Sequence, residues 1–226
     1  MDMPEVIIKD KIQLSNNTFT LFFDYNPSYK LGQFVMVKVG DVQKAYSISS
    51  SPLDDSLSIT VKSIGEFSNA LCSLPIKSKV FVGKPMGDMV LDEQEEHSNV
   101  FISIGSGMGP FLGMLSYAQE KPLKNDQYLF YSARVPSETL GYMKAVGTLP
   151  KRFHCSWHVT RKQLEPNIVW DGLEGRFTLD EIKRTVHDFV NAHFYIVGNA
   201  DMVLSFEKQL QDADVPKEQI HRERWN

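Results

Sequence analysis

Cysteine is nearly missing from this sequence: Cys72 and Cys155 are the only two in 226 residues. They stand far apart, outside any CxxC or Cys/His grouping of metal-ligand spacing, so the chain has no thiolate set for a zinc site or an iron-sulfur cluster of its own, and no metal site is expected. A basic excess is missing too. Lys and Arg number 24 against 28 Asp and Glu, a formal net charge of −4, and the cations are scattered rather than striped along one face, which argues against a nucleic-acid partner. Long apolar runs are the third absence. The opening "MDMPEVIIKDK" breaks its short apolar run with charges, and no later stretch approaches the ~18 residues of a membrane helix. The chain is therefore expected to be cytoplasmic, with no membrane span. Nor do the histidines gather: His154 and His158 share a face of a strand-like run but lie ~13 Å apart, too far to hold one metal.

What is present is hydrophobic content of 42%, enough for a buried core and suited to two small domains. Up to about residue 92, short runs rich in β-branched and aromatic residues ("EVIIKDKIQL", "TFTLFFDY", "QFVMVKV", "AYSIS", "LSITVKSI", "KVFVGKP") alternate with turn residues, the pattern of an antiparallel barrel or sandwich. One helix, "FSNALCSL" with Ser68 as its cap, is expected to close the open end. The acidic stretch "DEQEEHSN" reads as a linker between a domain of residues 1–94 and one of residues 98–226. Beyond it strands alternate with longer helices: "NVFISIG", "GPFLGMLSYAQEK", "QYLFYSA", "SETLGYMKAV", "FHCSWHVT", "TLDEIKRTVHDFV", "HFYIVG" and "ADMVLSFEKQLQDA". Continuous apolar strands joined by helices imply a parallel sheet with ligand sites at the strands' carboxyl ends.

At two such ends the sequence places glycine. "NVFISIGSGMGPFLGML" runs a buried strand into Gly105-Ser106-Gly107-Met108-Gly109-Pro110 and then a helix; the glycines let backbone approach a diphosphate, which the helix N-terminus favours, and Pro110 suits the first helical turn. The same residues also fit a plain strand-to-helix turn, since they do not spell G-x-G-x-x-G. "HFYIVGNADMV" repeats the arrangement at Gly198, with Asn199 and Met202 following, and two such ends in one sheet make a crevice for a dinucleotide. In the first half, Lys44 offers a cation, Tyr46 a flat ring and Ser47 a hydroxyl on the opposite strand face, with Ser68 at a helix start after Gly65. A ligand with a planar ring system and a diphosphate uses all of these; a solvated edge strand with a capping serine needs none of them.

Taken together the segments resemble the ferredoxin-NADP reductase-like flavoproteins. "LGQFVMV" is similar to the family's Gly-Gln-Phe strand, "KAYSISSSP" to its Arg-x-Tyr-Ser flavin motif and "VKSIGEFSNAL" to its Val-Lys and Gly-x-x-Ser turn. "VGKPMGDMVL" resembles its Gly-x-Pro-x-Gly hinge, "IGSGMGPFLGML" and "YIVGNADMV" its nicotinamide-nucleotide motifs, and "RERW" its terminal Glu-x-aromatic. The matches run in the family's order along nearly the whole chain. The resemblance implies a two-domain protein: an N-terminal antiparallel Greek-key β-barrel for FAD and a C-terminal α/β domain for NADPH or NADH. By it, Tyr46 lies against the isoalloxazine, Ser47 points at the flavin N5, and Lys44 with Gly65, Phe67, Ser68 and Asn69 holds the diphosphate. Ala45, Ile48, Val61 and Lys62 belong to the same flavin-binding stretches. Gly105, Ser106, Gly107, Met108 and Pro110, with Gly198, Asn199 and Met202, belong to the nucleotide side. Trp225 would stack over the flavin and Glu223 would sit near the edge where protons and electrons leave.

Two departures from the family pattern stand out. Lys44 replaces the usual arginine, keeping the charge without the bidentate fork, which implies a looser FAD. Val197 stands where many relatives carry cysteine, which removes any thiol from the nicotinamide side. Arg134, Arg161 and Arg176 are the candidates for a coenzyme 2′-phosphate, and with no acidic residue at the end of "QYLFYSA" the reading leans to NADPH. The activity implied is hydride transfer from NAD(P)H to FAD, then single electrons to a separate acceptor such as a ferredoxin or flavodoxin. Two other readings stay open: a flavin reductase that releases reduced free flavin, and a non-catalytic subunit that serves as an electron conduit or interaction module.

Overall fold

The computed structural model describes residues 3–91, 97–121 and 124–225, with the side chain of Trp225 outside the description. Most of the expected linker, residues 92–96, also lies outside the described residues.

The first half forms β1 (Glu5–Ser15), β2 (Thr18–Phe23), β3 (Phe34–Val39), β4 (Val42–Ser47), β5 (Ser58–Lys62) and β6 (Lys79–Val82). They join as one antiparallel six-stranded sheet in the order β4-β3-β6-β1-β2-β5. The edge strands approach each other beyond Ser47, where Ile48 bridges Ile59 and the Ser49 N–H donates to the Ser58 carbonyl at 2.8 Å. This curls the sheet into the expected barrel-like form. Alternation sends Val35 and Val37, Leu21 and Phe23, and Ile59 and Val61 inward to one core. Helix α1 (Glu66–Ser73) caps that core with Leu71 and Cys72. The expected cap differs in detail, because Gly65 is the N-cap and Ser68 sits one turn in. From there the Ser68 hydroxyl reaches back, accepting from the N–H groups of Ile64 (3.1 Å) and Gly65 (3.0 Å).

The second half forms β7 (Asn99–Ile104), α2 (Gly109–Glu120), β8 (Gln127–Ala133), α3 (Pro136–Val146), β9 (Phe153–Val159), β10 (Leu173–Glu174), α4 (Leu179–Thr185), β11 (His193–Asn199), α5 (Ala200–Gln211) and β12 (Ile220–Trp225). The strands make a parallel six-stranded sheet in the order β10-β9-β8-β7-β11-β12. Helices cover both faces, so β7 buries Phe101 into one core and Val100 and Ile102 into the other. One helix departs from the sequence expectation. The helix read over "TLDEIKRTVHDFV" stops at Thr185, because Val186 turns extended to bury itself and Asp188 adopts a left-handed φ of 53°. The terminal "IHRERW" forms a parallel edge strand along β11, its Arg222 paired with Glu207 of α5 at 2.9 Å.

The two halves touch where α3 crosses β1. A Cβ on Gly141 would overlap the Leu14 carbonyl, so glycine here serves close approach of two backbones. Ala in a helix interior normally gains about 0.5–1 kcal/mol over Gly, whereas overpacking costs about 1–3 kcal/mol, so the clash wins. Gly141→Ala is expected to lower stability by about 1–2 kcal/mol; a raised denaturant midpoint would show that the contact yields freely.

Candidate functional site

The parallel sheet brings its strand ends to one rim. There β7 leads into the 3₁₀ turn Gly105–Met108, and α2 follows with Pro110 in its first turn. Gly105 has φ +54°, and a Cβ on Gly107 would overlap the Val197 carbonyl of β11. Side chains are thereby kept off the turn while Met108 and Pro110 are buried beneath it, and Ser106 is left exposed at the rim. Beside it β11 ends in Gly198 and Asn199, and Asn199 caps α5 by accepting the Met202 N–H at 3.0 Å.

Between this rim and the barrel lies a cavity of about 900 Å³, lined by Lys44, Ala45, Tyr46 and Ser47 of β4, by Gly65, Phe67 and Ser68 at the start of α1, and by Ser106 and Gly109. A second cavity of about 830 Å³ sits over the strand ends, lined by Gly105, Ser106, Gly198, Asn199 and Met202 together with Arg134 and Arg176. Lys62, Ile64 and Ser106 line both, so the cavities adjoin. The structure thus brings together most residues singled out from sequence. Others lie elsewhere: Ile48 and Val61 are buried in the barrel core, and Gly107, Met108 and Pro110 under the turn. The Asn69 side chain turns away to accept the Ser63 hydroxyl at 2.7 Å, and Arg161 lines neither cavity. The Trp225 backbone pairs with Asn199, but its side chain falls outside the described residues.

Sequence reasoning passed over Glu138, which forms an ion pair with Lys62 at 2.7 Å across the two halves. Its other oxygen accepts the Arg134 N–H at 3.3 Å. Only its place in the first turn of α3 could have drawn notice. Arg224 and Thr60, which line the first cavity, were also missed; alternation along β12 gives no hint of a cavity beside it.

Inside the site, the Tyr46 ring stacks on Phe67 with centroids 6.3 Å apart, and burial, then Cys72, pushes its hydroxyl up to about 12. Glu223 stands on β12 in register with Val197. Its Oε2 is buried without a hydrogen-bond partner among the described residues. Burial raises its carboxyl from 4.5 to about 7, an effect that the nearby Ser47 hydroxyl partly offsets. Glu223 lines neither cavity, but a proton can be held or released near neutral pH beside Ser47, which lines the first.

Comparison with known proteins agrees with this geometry. The family model described as oxidoreductase NAD-binding domain matches residues 101–208. The human (Homo sapiens) oxidoreductase NAD-binding domain-containing protein 1 is 32% identical over 237 residues, covering 91% of this chain and 73% of that protein. The chain belongs to the family of oxidoreductases with an NAD-binding domain. Solved structures share the fold: a ferredoxin reductase in carbazole 1,9a-dioxygenase superposes with a TM-score of 0.85 at 19% identity, over 100% of this chain and 70% of that one. A ferredoxin NADP+ reductase from Neisseria gonorrhoeae with bound FAD and NADP gives 0.83 at 19% identity, over 99% of both chains. Within this oxidoreductase family, whose members transfer electrons rather than hydrolyse bonds, a site built from rings, hydroxyls and cations needs no nucleophile beside a strong base.

The raised Glu223 carboxyl carries a pH signature. Between about 4.5 and 7 the folded protein keeps a proton that the unfolded chain has lost, so this group's stabilising contribution is complete below that window and falls away as pH rises through it. Glu223→Gln is expected to flatten the decline, measured as denaturant midpoint against pH. Equal slopes in both proteins would remove Glu223 as the titrating group.

Proposed function

We propose that this oxidoreductase binds FAD in the first cavity and NAD(P)H, with NADPH favoured, in the second, and passes electrons singly to a separate acceptor of the ferredoxin or flavodoxin kind. The observation that carries the reading is the junction of the two cavities, one walled by a half-buried aromatic ring and a hydroxyl, the other by glycine-rich strand ends.

The residues fit both groups. Tyr46, backed by Phe67, offers a flat face for a ring system, and the exposed Lys44 and Arg224 supply cations to the same cavity for a diphosphate. The Ser68 hydroxyl spends its bonds on its own turn, so its service is to hold that turn in shape for the N–H groups at the start of α1. On the nucleotide side, the bare turn at Gly105 to Gly107 admits close backbone approach, and Arg134 and Arg176 face the same cavity, suited to a 2′-phosphate. Glu138 has both oxygens engaged, by Lys62 and by the Arg134 N–H, which leaves it poorly placed to grip a free ribose.

When bound, FAD accepts a hydride from the nicotinamide and gives up electrons one at a time. The chain's own task is orientation: Tyr46 and Ser47 would hold the flavin ring system in the first cavity, and the turn before α2 would hold the nucleotide in the second. Glu223 holds or gives a proton beside Ser47. With Cys72 and Cys155 in separate halves, the acceptor's cluster or flavin lies outside this chain. The single-ended contact offered by Lys44 favours one second reading, a flavin reductase that lets reduced flavin go.

The test is an anaerobic visible titration of purified protein loaded with FAD. Bleaching by NADPH at lower concentration than NADH, with the flavin retained through gel filtration, is expected. Flavin lost on the column moves the assignment to flavin reductase, and a colourless protein indifferent to FAD and both nucleotides overturns the enzyme reading. In the same assay, Arg134→Ala with Arg176→Ala should raise KM for NADPH about a hundredfold and leave that for NADH within a few-fold; equal losses for both coenzymes would place the arginines off the 2′-phosphate.

A further inference from the structure

The turn that edges the second cavity rests on Tyr131 of β8. Gly105 enters that turn with a left-handed φ of +54°, and a Cβ there would meet nothing within 4 Å, so glycine is required for the backbone angle and not for room. At that angle the Gly105 carbonyl is turned inward, where it accepts the Tyr131 hydroxyl at 3.0 Å. Tyr131 is fully buried, with the rings of Tyr142 and Trp157 edge-to-face against it at 5.4 and 5.6 Å. The Gly105 carbonyl is the one acceptor its hydroxyl meets among the described residues. Burial, then Tyr142 and Glu138, holds this phenol well above its usual pKa, so it keeps its proton and donates. On the other side the turn presses on β11: a Cβ on Gly107 would overlap the Val197 carbonyl and crowd the Ser103 hydroxyl. Tyr131, Ser103 and Val197 stand in one register row across β8, β7 and β11, and that row is the floor on which the turn sits.

In a trans peptide the C=O and the following N–H point in opposite directions. A Gly105 carbonyl fixed toward the core therefore turns the Ser106 N–H away from it, at the place where Ser106 stands exposed and lines the cavity. Without the Tyr131 hydroxyl this plane is freer to rotate, because the glycine on its leading side allows a wide range of backbone angles. A rotated plane would present a carbonyl oxygen to the cavity instead. We propose that Tyr131 is a positioning residue of the coenzyme site: its hydroxyl sets the Gly105–Ser106 peptide with the N–H outward, the orientation that suits the diphosphate common to NADPH and NADH. This role rests on the coenzyme occupying the second cavity, as proposed above, and it concerns the diphosphate rather than the 2′-phosphate suited to Arg134 and Arg176.

The test begins with the unaltered chain loaded with FAD, titrated with NADP+ and with adenosine 2′-monophosphate, which lacks a diphosphate, and followed by amide NMR. Saturating NADP+ is expected to move the Ser106 amide proton downfield, and the monophosphate to leave it in place. Tyr131→Phe, which loses only the hydroxyl, should weaken NADP+ about tenfold, shrink the Ser106 shift and keep the affinity for the monophosphate. In anaerobic stopped-flow reduction of the flavin it should raise the half-saturating concentration of NADPH and NADH alike and retain the limiting rate. Equal affinity of both proteins for NADP+, or an equal loss for the monophosphate, overturns the role of Tyr131 while the coenzyme site stands. A Ser106 amide that stays in place while NADP+ binds the unaltered chain overturns it without recourse to any variant. An unaltered chain that binds neither NADP+ nor NAD+ overturns the coenzyme site itself, and the role of Tyr131 with it.

Discussion

The architecture depends on how closely two backbones can approach. Gly113 of α2 and Gly141 of α3 meet the carbonyls of Ser50 and Leu14 with no side chain between them, so the helices of the parallel half lie directly on the barrel. Because α2 begins at the turn after β7, the same contact that seats the helix sets the height of that turn above Tyr46 and Ser47. Gly109 in the first turn of α2 would place a Cβ only 3.9 Å from the Ser47 Cβ. A bulkier interface would lift the strand ends away from the barrel and separate the two cavities whose junction carries the functional reading.

Electrostatics reinforce that seating without dominating it. The Lys62–Glu138 pair spans the halves with each side chain about one-fifth exposed (20% and 19%), too open to water for a large contribution. Its consequence is geometric: it fixes a cation at the junction and engages a carboxylate that lines the second cavity. Glu223 works the other way, its burial making the charged form unfavourable. An edge strand of otherwise polar character thus delivers one acid of near-neutral affinity to a place beside Ser47, behind the lining of the first cavity.

The strands and helices were legible where side-chain periodicity was strong. "FVMVKV" and "SITVK" alternate and lie in the barrel wall; "NVFISI" and "QYLFYSA" are continuous and lie in a sheet covered on both faces. Legibility failed where burial and backbone geometry overrode local preference, as at Val186 and Asp188, and where a strand's only support was a neighbour distant in sequence, as for "IHRERW" along β11. Within the site, the residues carried by motifs (Lys44 to Ser47, Gly65 to Ser68, Gly105 to Ser106, Gly198 to Asn199) line the two cavities. Glu138 belongs to no motif and Arg224 is only the unspecified residue of the terminal Glu-x-aromatic, so both are placed by the meeting of the halves.

What the residues alone determined is local: strand and helix periods, glycines at two strand ends, the ring and hydroxyl of Tyr46-Ser47, and the want of thiolates and of a basic face. Each follows from the chemistry of a few consecutive side chains. The tertiary structure alone decided which of those pieces share a wall, that Asn69 and Arg161 lie off it, that Glu138 takes Lys62, and that a carboxyl near the chain's end is pushed toward neutrality. Those outcomes depend on distances between segments scores of residues apart, which are set by packing and burial rather than by the order of the chain.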